Sequence, residues 1–234
     1  KAPAPLVTRY AVMELPNVQT VDVMLPDGAR RRTILDPATG LPHNRSVFRP
    51  DGTLVSDDEY IWTVGADSVS RLTQLTETDP LGRKKRTEYS FNAQGRIQDV
   101  KIRDWVESAQ INTAPLLRWL RYEYVTDPAY AQRGIRCLVR RTETYSSGSL
   151  LPEERTDFEY DGLPLRSTPG IGRNLFATPG FRTDLLAMMP ATAPQRRGLL
   201  TKTLRWIAPQ VLGNTATIAT EKGYTAAGLL AEMK

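Results

Sequence analysis

Histidine and cysteine each occur once in the 234 residues. His43 and Cys137 stand far apart, so a zinc site lacks ligands. A lone cysteine excludes an internal disulfide; folding then does not depend on an oxidising compartment, though none is excluded. No apolar run approaches the roughly 18 or more residues of a membrane-crossing helix. Lys1 to Pro5 carries no apolar h-region, so no signal peptide is read there. Neither charge sign dominates: 31 Lys and Arg face 26 Asp and Glu, a net charge of +5. The basic residues form short clusters at Arg30 to Arg32, Arg83 to Arg86, Arg140–Arg141 and Arg196–Arg197. None is interleaved with the aromatics of a base-stacking groove, so nucleic acid is not an expected partner. Solvated strand edges that resist sheet-to-sheet sticking account for them. Arg83 to Arg86 follows directly on a turn signal, which argues against a processing site.

What the chain has in quantity is turns. Val21, Val23 and Leu25 alternate before Pro26-Asp27-Gly28. Ile34 leads into Asp36-Pro37-Ala38-Thr39-Gly40, and Val47-Phe48 into Pro50-Asp51-Gly52. Tyr60, Trp62 and Val64 alternate. Leu75 leads into Thr78-Asp79-Pro80-Leu81-Gly82, and Tyr89 and Phe91 into Asn92-Ala93-Gln94-Gly95. Glycine supplies the positive φ such turns need, and proline presets its neighbour. Short strands at intervals of twelve or thirteen residues, bounded by such signals, predict an all-β fold of antiparallel hairpins.

The turns also repeat as a motif. Phe91, Gly95 and Ile97 share their offsets with Tyr224, Gly228 and Leu230, and with Phe48, Gly52 and Leu54. Val100 and Met233 then both fall five residues after the glycine. Strict alternation breaks at the same place in both copies, which predicts a shared β-bulge.

Residues 1–234 read as one segment: strand-rich over 7–165, a loop-rich insertion over 167–198, and strand-rich again over 199–233. The insertion is rich in Pro, Gly, Thr and Arg, with one short helix expected at Thr183 to Met189. Ser108 to Pro115 reads as a loop between strands. A compact chain of this length would bury roughly 70% of its unfolded surface and build a sizeable core.

The repeats resemble those of the RHS or YD-repeat proteins. The best copies are Thr87 to Ile97 and Phe158-Glu159-Tyr160-Asp161-Gly162-Leu163-Pro164-Leu165. Thr78 to Arg83 looks like a linking Asp-Pro-Leu-Gly step, and Arg197 to Trp206 is similar to the strand that opens a following pair. Leu116 to Tyr124, followed by Thr126-Asp127-Pro128-Ala129-Tyr130, also looks like repeat arrays of large bacterial members. Only Tyr160-Asp161 shows the literal Tyr-Asp pair, and neither the family's carboxy-terminal core nor a toxin-like tail is visible. The resemblance implies a segment of a larger polypeptide, wound as a curved or spiral strip of hairpins into a hollow shell. In the family, that shell encloses or displays another domain, such as a toxin, in secreted or cell-surface proteins. A cut segment would leave unpaired end strands, so self-association of the isolated piece is expected.

Chemistry-bearing residues are few. His43 lies beside a turn, and no Gly-x-Ser-x-Gly surrounds a serine; Ser147-Gly148-Ser149 comes only superficially near. Cys137, beside Ile135, Leu138 and Val139, reads as a small buried hydrophobe on a strand. Asp57-Asp58-Glu59 lacks the alternating ligands and central glycine of a calcium loop. Glu153-Glu154 and Asp157 with Glu159 are the candidate carboxylate pairs for glycoside chemistry. Gly170-Ile171-Gly172 lacks the strand-then-helix context of a dinucleotide site. Aromatics from Tyr60 to Trp206 fall mostly on strands, as cross-strand packing pairs or, if exposed, as a sugar-stacking stripe.

The sequence thus predicts a non-catalytic structural repeat segment with no metal and no cofactor. Its partners would be the rest of its own polypeptide and an enclosed toxin domain. The alternative is a carbohydrate- or protein-binding β module; a glycosidase is the third reading. Aromatics lining an open groove would favour binding, and aromatics buried beneath residues 167–198 would favour the scaffold.

Overall fold

The computed structural model describes residues 8–15, 18–163, 197–209, 211, 213–224 and 230–233. The fold is all-β and antiparallel. The chain divides into two compact units, Lys1–Leu120 with Ser146–Gly148, and Arg121–Tyr145 with Ser149–Lys234.

The first unit holds β1 (Arg9–Leu15), β2 (Val18–Met24), β3 (Arg30–Leu35), β4 (Pro42–Phe48), β5 (Leu54–Val64), β6 (Ser70–Thr78), β7 (Lys84–Phe91) and β8 (Ile97–Arg103). A 3-10 turn, Ser108–Thr113, occupies the expected loop and leads to β9 (Leu116–Tyr124), within which the division between units falls. The second unit holds α1 (Pro128–Gln132), β10 (Val139–Ser146), β11 (Glu154–Tyr160), β12 (Leu200–Trp206), β13 (Thr217–Tyr224) and β14 (Leu230–Met233). In each unit the hydrogen-bonded order of the strands is their order in sequence.

The turn chemistry is uniform. In turns 25–29, 49–53, 65–69, 79–83 and 92–96 the first residue's N–H donates to the last carbonyl, while its own carbonyl accepts from the fourth N–H. That is the three-residue hairpin loop, a type I turn followed by one left-handed residue. Glycine takes that place at Gly28 (φ 84°), Gly52 (86°), Gly82 (79°) and Gly95 (75°). The turn 65–69 places Ser68 there instead, at φ 60°. Without a glycine at that offset, the turn is easily overlooked in sequence. Side chains lock the loops: Asp27, Asp51 and Asp67 each accept from the N–H two residues on, and Asp79 and Asn92 accept from those two and four residues on.

The expected bulge is present. Phe91 pairs Ile97 but Ser90 pairs Asp99, leaving Gln98 extra. Tyr224 pairs Leu230 but Gly223 pairs Glu232, leaving Ala231 extra. The third copy has it too, with Val55 extra between Leu54 and Ser56. His43, after Gly40, and Thr201, after Gly198, occupy the same place three residues past a left-handed glycine.

Register sorts side chains by face. Tyr60, Leu75, Thr87 and Ile102 stand in one row across β5 to β8. The same face carries the row Arg45, Asp58, Glu77 and Lys85. On the opposite face Asp22, Arg32, Ser46, Asp57, Thr78 and Lys84 run in line.

Among the described residues the sizeable core expected from chain length is not found. Among the described residues the buried apolar side chains are Ala114, Tyr130 and Tyr145. Strand residues are mostly half-buried, because each packs against same-face neighbours of its own sheet and little else among the described residues covers it. The expected helix at 183–189 lies outside the described residues. The helix that is described, α1, follows from its own cap: Asp127 accepts from the N–H of Ala129, and Pro128 needs no partner in the first turn.

Candidate functional site

The residues with chemical potential are dispersed, and three of them, Asp57, Asp58 and Asp157, hold partners within the sheet. His43 is exposed and is the extra residue of the β3–β4 bulge. Cys137 is exposed and precedes β10, so its reading as a buried strand residue is corrected. The physical reason is that Gly134, at φ 75°, ends the turn after α1 and regular pairing resumes only at Val139. Ser149 closes a local turn, its hydroxyl donating to the carbonyl of Leu151. Gly170 to Gly172 lie outside the described residues.

The acidic cluster is split by strand alternation. Asp57 accepts from Ser46 Oγ at 2.6 Å and Asn44 Nδ2 at 3.0 Å. Asp58, on the other face, accepts from Arg45 at 2.6 Å. Among the described residues no group of three or more His, Cys, Asp and Glu is placed to hold a metal.

The basic clusters hold specific partners and are not simply solvated edges. Arg32 pairs Asp22 at 2.9 Å, Arg83 pairs Asp79 at 2.7 Å and Lys85 pairs Glu77 at 2.9 Å. Arg30 covers the Phe48 ring at 4.5 Å, and Arg86 donates to Asn112. Surface ion pairs of this kind each contribute about 0.2–1 kcal/mol. Asp22 shows the effect: the Arg32 hydrogen bonds hold its carboxyl below the usual carboxylate range despite partial burial.

The best-built constellation centres on Asp157, one of the candidate glycoside carboxylates. Its Oδ1 accepts from Arg141 at 2.6 Å, and its Oδ2 accepts from Arg155 at 3.1 Å and from the Trp206 indole N–H. The Arg155 guanidinium lies over the Trp206 ring, 4.0 Å from its centroid. Arg141 also reaches Glu123 at 3.5 Å. Burial alone would raise the Asp157 carboxyl, but Arg141, Trp206 and Arg155 outweigh it and hold the pKa below the usual range. A general acid needs the opposite shift, and here nearly every lone-pair direction is taken. Glu159 is exposed beside it, and Glu153 and Glu154 are exposed as well.

The first unit repeats the arrangement. Asp99 accepts from the Trp119 indole N–H and from Ser90, both at 2.8 Å, while Lys101 lies 5.5 Å from the Trp119 centroid. Carboxylate and cation sit two apart on one strand, and the tryptophan comes from the next. This unit was not legible as such in sequence. The Asp-x-Lys and Arg-x-Asp steps are common, and their tryptophans arrive 20 and 49 residues later.

The described strand aromatics are mostly half-buried. Tyr145 is buried, Trp105 is exposed, and Tyr60, Trp62, Tyr89, Phe91, Trp119, Phe158, Tyr160 and Trp206 are half-buried. Trp62 donates to the carbonyl of Pro42 at 2.7 Å. Tyr145 donates to Glu143 at 2.8 Å; burial, then that bond, pushes its phenol up to about 12. Among the described residues no helix is long and apolar enough to cross a membrane.

A scan against protein-family models and a search of curated proteins found no match. Among solved structures the chain is similar to a porin-like protein from Bacteroides uniformis ATCC 8492, at 9% identity and a TM-score of 0.40, over 96% of this chain and 73% of that one. It is also similar to TcdB2-TccC3, at 15% identity and a TM-score of 0.39, over 87% of this chain and 10% of that one. TcdB2-TccC3 without its hypervariable C-terminal region gives 14% identity and a TM-score of 0.38, over 91% and 10%.

Proposed function

We propose that this chain is a non-catalytic structural segment, a stretch of β-wall in a larger scaffold that encloses or displays another domain. The observation that carries this reading is the recurring hairpin. Its three-residue loop, its left-handed residue and its bulge return along the chain at constant offsets. A hairpin alone cannot bury its apolar face, and tiling such units extends one sheet. The side chains that sequence marks for chemistry support it further, since Asp57, Asp58 and Asp157 are committed to cross-strand partners.

The resemblance to RHS/YD repeats extends the proposal. The parent protein would be a secreted or surface-exposed, toxin-related bacterial polypeptide, and the partner would be the remainder of that polypeptide. The test is electron microscopy of the longer polypeptide carrying this segment. A strip of hairpins continuing on both sides into an enclosing wall is expected; flanks made of packed helices would overturn the reading. A glycan array probed with the purified chain tests the binding alternative, and robust selective binding would replace the scaffold reading.

A further inference from the structure

The strands β11 and β12 pair across a long excursion, since the chain leaves at Tyr160 and returns at Leu200. Hairpin register is ordinarily imposed by a tight turn. A long connection imposes almost none, because the cost of closing it grows slowly with length. The contacts at the base of the connection are therefore where register can be set.

Asp161 does so. It sits at φ 53°, in the left-handed region that aspartate tolerates better than most residues. Its Oδ2 accepts from the N–H groups of Arg197 at 2.7 Å and Gly198 at 2.8 Å, and its Oδ1 from that of Leu199 at 3.1 Å. Its own N–H donates to the carbonyl of Leu199 at 2.9 Å. Beside it, the Gly162 N–H donates to Thr201 Oγ1 at 3.0 Å, and that hydroxyl donates to the carbonyl of Glu159 at 3.1 Å. Thr201 is 3% exposed and is the extra residue of the bulge. The returning chain is also seated from the other side. A Cβ on Gly198 would meet Ile135 at 3.3 Å and Leu138 at 3.4 Å. The Tyr130 hydroxyl donates to the Tyr160 carbonyl at 3.2 Å, and the Tyr160 hydroxyl to that of Val139 at 2.8 Å.

We propose that Asp161 is a register clamp that makes the β11–β12 connection a permissive insertion point, where segments of different length and composition are carried without altering the sheet. The carboxylate performs the work of a tight turn, joining both sides of the connection at its base. This inference does not depend on the shell reading; a β-sheet that encloses nothing would show it equally.

Amide hydrogen exchange on the 234-residue chain tests it, with β2 to β8 as internal reference. Replacing residues 164–196 by a short Gly-Ser linker should leave β12 protection within about twofold of the parent, as expected when no pairing hydrogen bond is removed. Asp161→Ala should lower β12 protection about tenfold or more while the reference strands keep theirs. Asp161→Asn, which keeps one acceptor oxygen, should fall between. Loss of β11–β12 protection in the linker variant, unchanged protection in Asp161→Ala, or loss spread equally over β2 to β8 would each overturn the clamp.

Discussion

Arg71 on β6 donates from Nε to the carbonyl oxygen of Gly95 at 3.2 Å, joining the β5–β6 turn to the β7–β8 turn. The same guanidinium binds the Asp67 carboxylate and lies 5.8 Å from the centroid of the Phe91 ring. Asp67 is held well below the usual carboxylate range by those Arg71 hydrogen bonds. A Cβ at Gly95 would fall 1.9 Å from Arg71 Nη2, whereas one at Gly52 would meet nothing within 4 Å.

Gly95→Ala and Gly52→Ala should therefore differ. Both place alanine at positive φ, costing about 1–2 kcal/mol. Gly95→Ala must also push aside a guanidinium anchored on Asp67, so it should lie further down in urea stability. Equal denaturation midpoints for the two variants would show that Arg71 yields freely.

Trp206→Phe keeps an aromatic ring under Arg155 but removes the N–H donated to Asp157. A loss of about 1–3 kcal/mol is expected for a half-buried bond to a charged acceptor. Trp119→Phe should follow the same pattern at Asp99. Chemical denaturation measures both; a neutral Trp206→Phe would mean that the ring, not the hydrogen bond, sets the arrangement.

Acid should weaken the fold through Asp157 and Asp22. Both folded carboxyls titrate below the reference value of 3.8. Their contribution is present above that value and is lost as pH falls through the lower folded value. Melting temperature should drop on acidification below about pH 4. Asp157→Asn should be less stable at neutral pH and show a shallower acid limb. An acid limb identical to that of the parent would remove Asp157 from the account.

Alkali acts in the opposite sense on Tyr145. Its phenol, ordinarily near 10, is pushed up to about 12 by burial and by donation to Glu143. The contribution is intact below the ordinary value and is lost as pH rises through the folded one. Burial also raises the phenols of Tyr60, Tyr89 and Tyr160, so ultraviolet phenolate titration should show several late tyrosines, and Tyr145→Phe should remove one tyrosine's amplitude from the part near pH 12.

The hairpins were legible in the sequence because glycine, proline and aspartate carry turn geometry locally. The bulge was legible because Val100 and Met233 break alternation at one offset. Ser68 hid its turn by occupying a place that glycine usually takes. The partners of Arg32, Arg141 and Asp157 were not legible, because they depend on register, which brings together residues from separate strands. Asp161 was visible as half of the one literal Tyr-Asp pair. Its three N–H partners lie more than thirty residues downstream, beyond the reach of any local pattern.

The unpaired residue that follows the left-handed glycines has an implication for how such a chain tolerates change. Dropping one residue from a regular strand turns every later side chain inside out. Dropping His43, Val55 or Gln98 would simply convert a widened rung into an ordinary one, with inward and outward positions preserved beyond it. These places act as slack in the weave, where single-residue deletions are absorbed and their effects stop at the next turn.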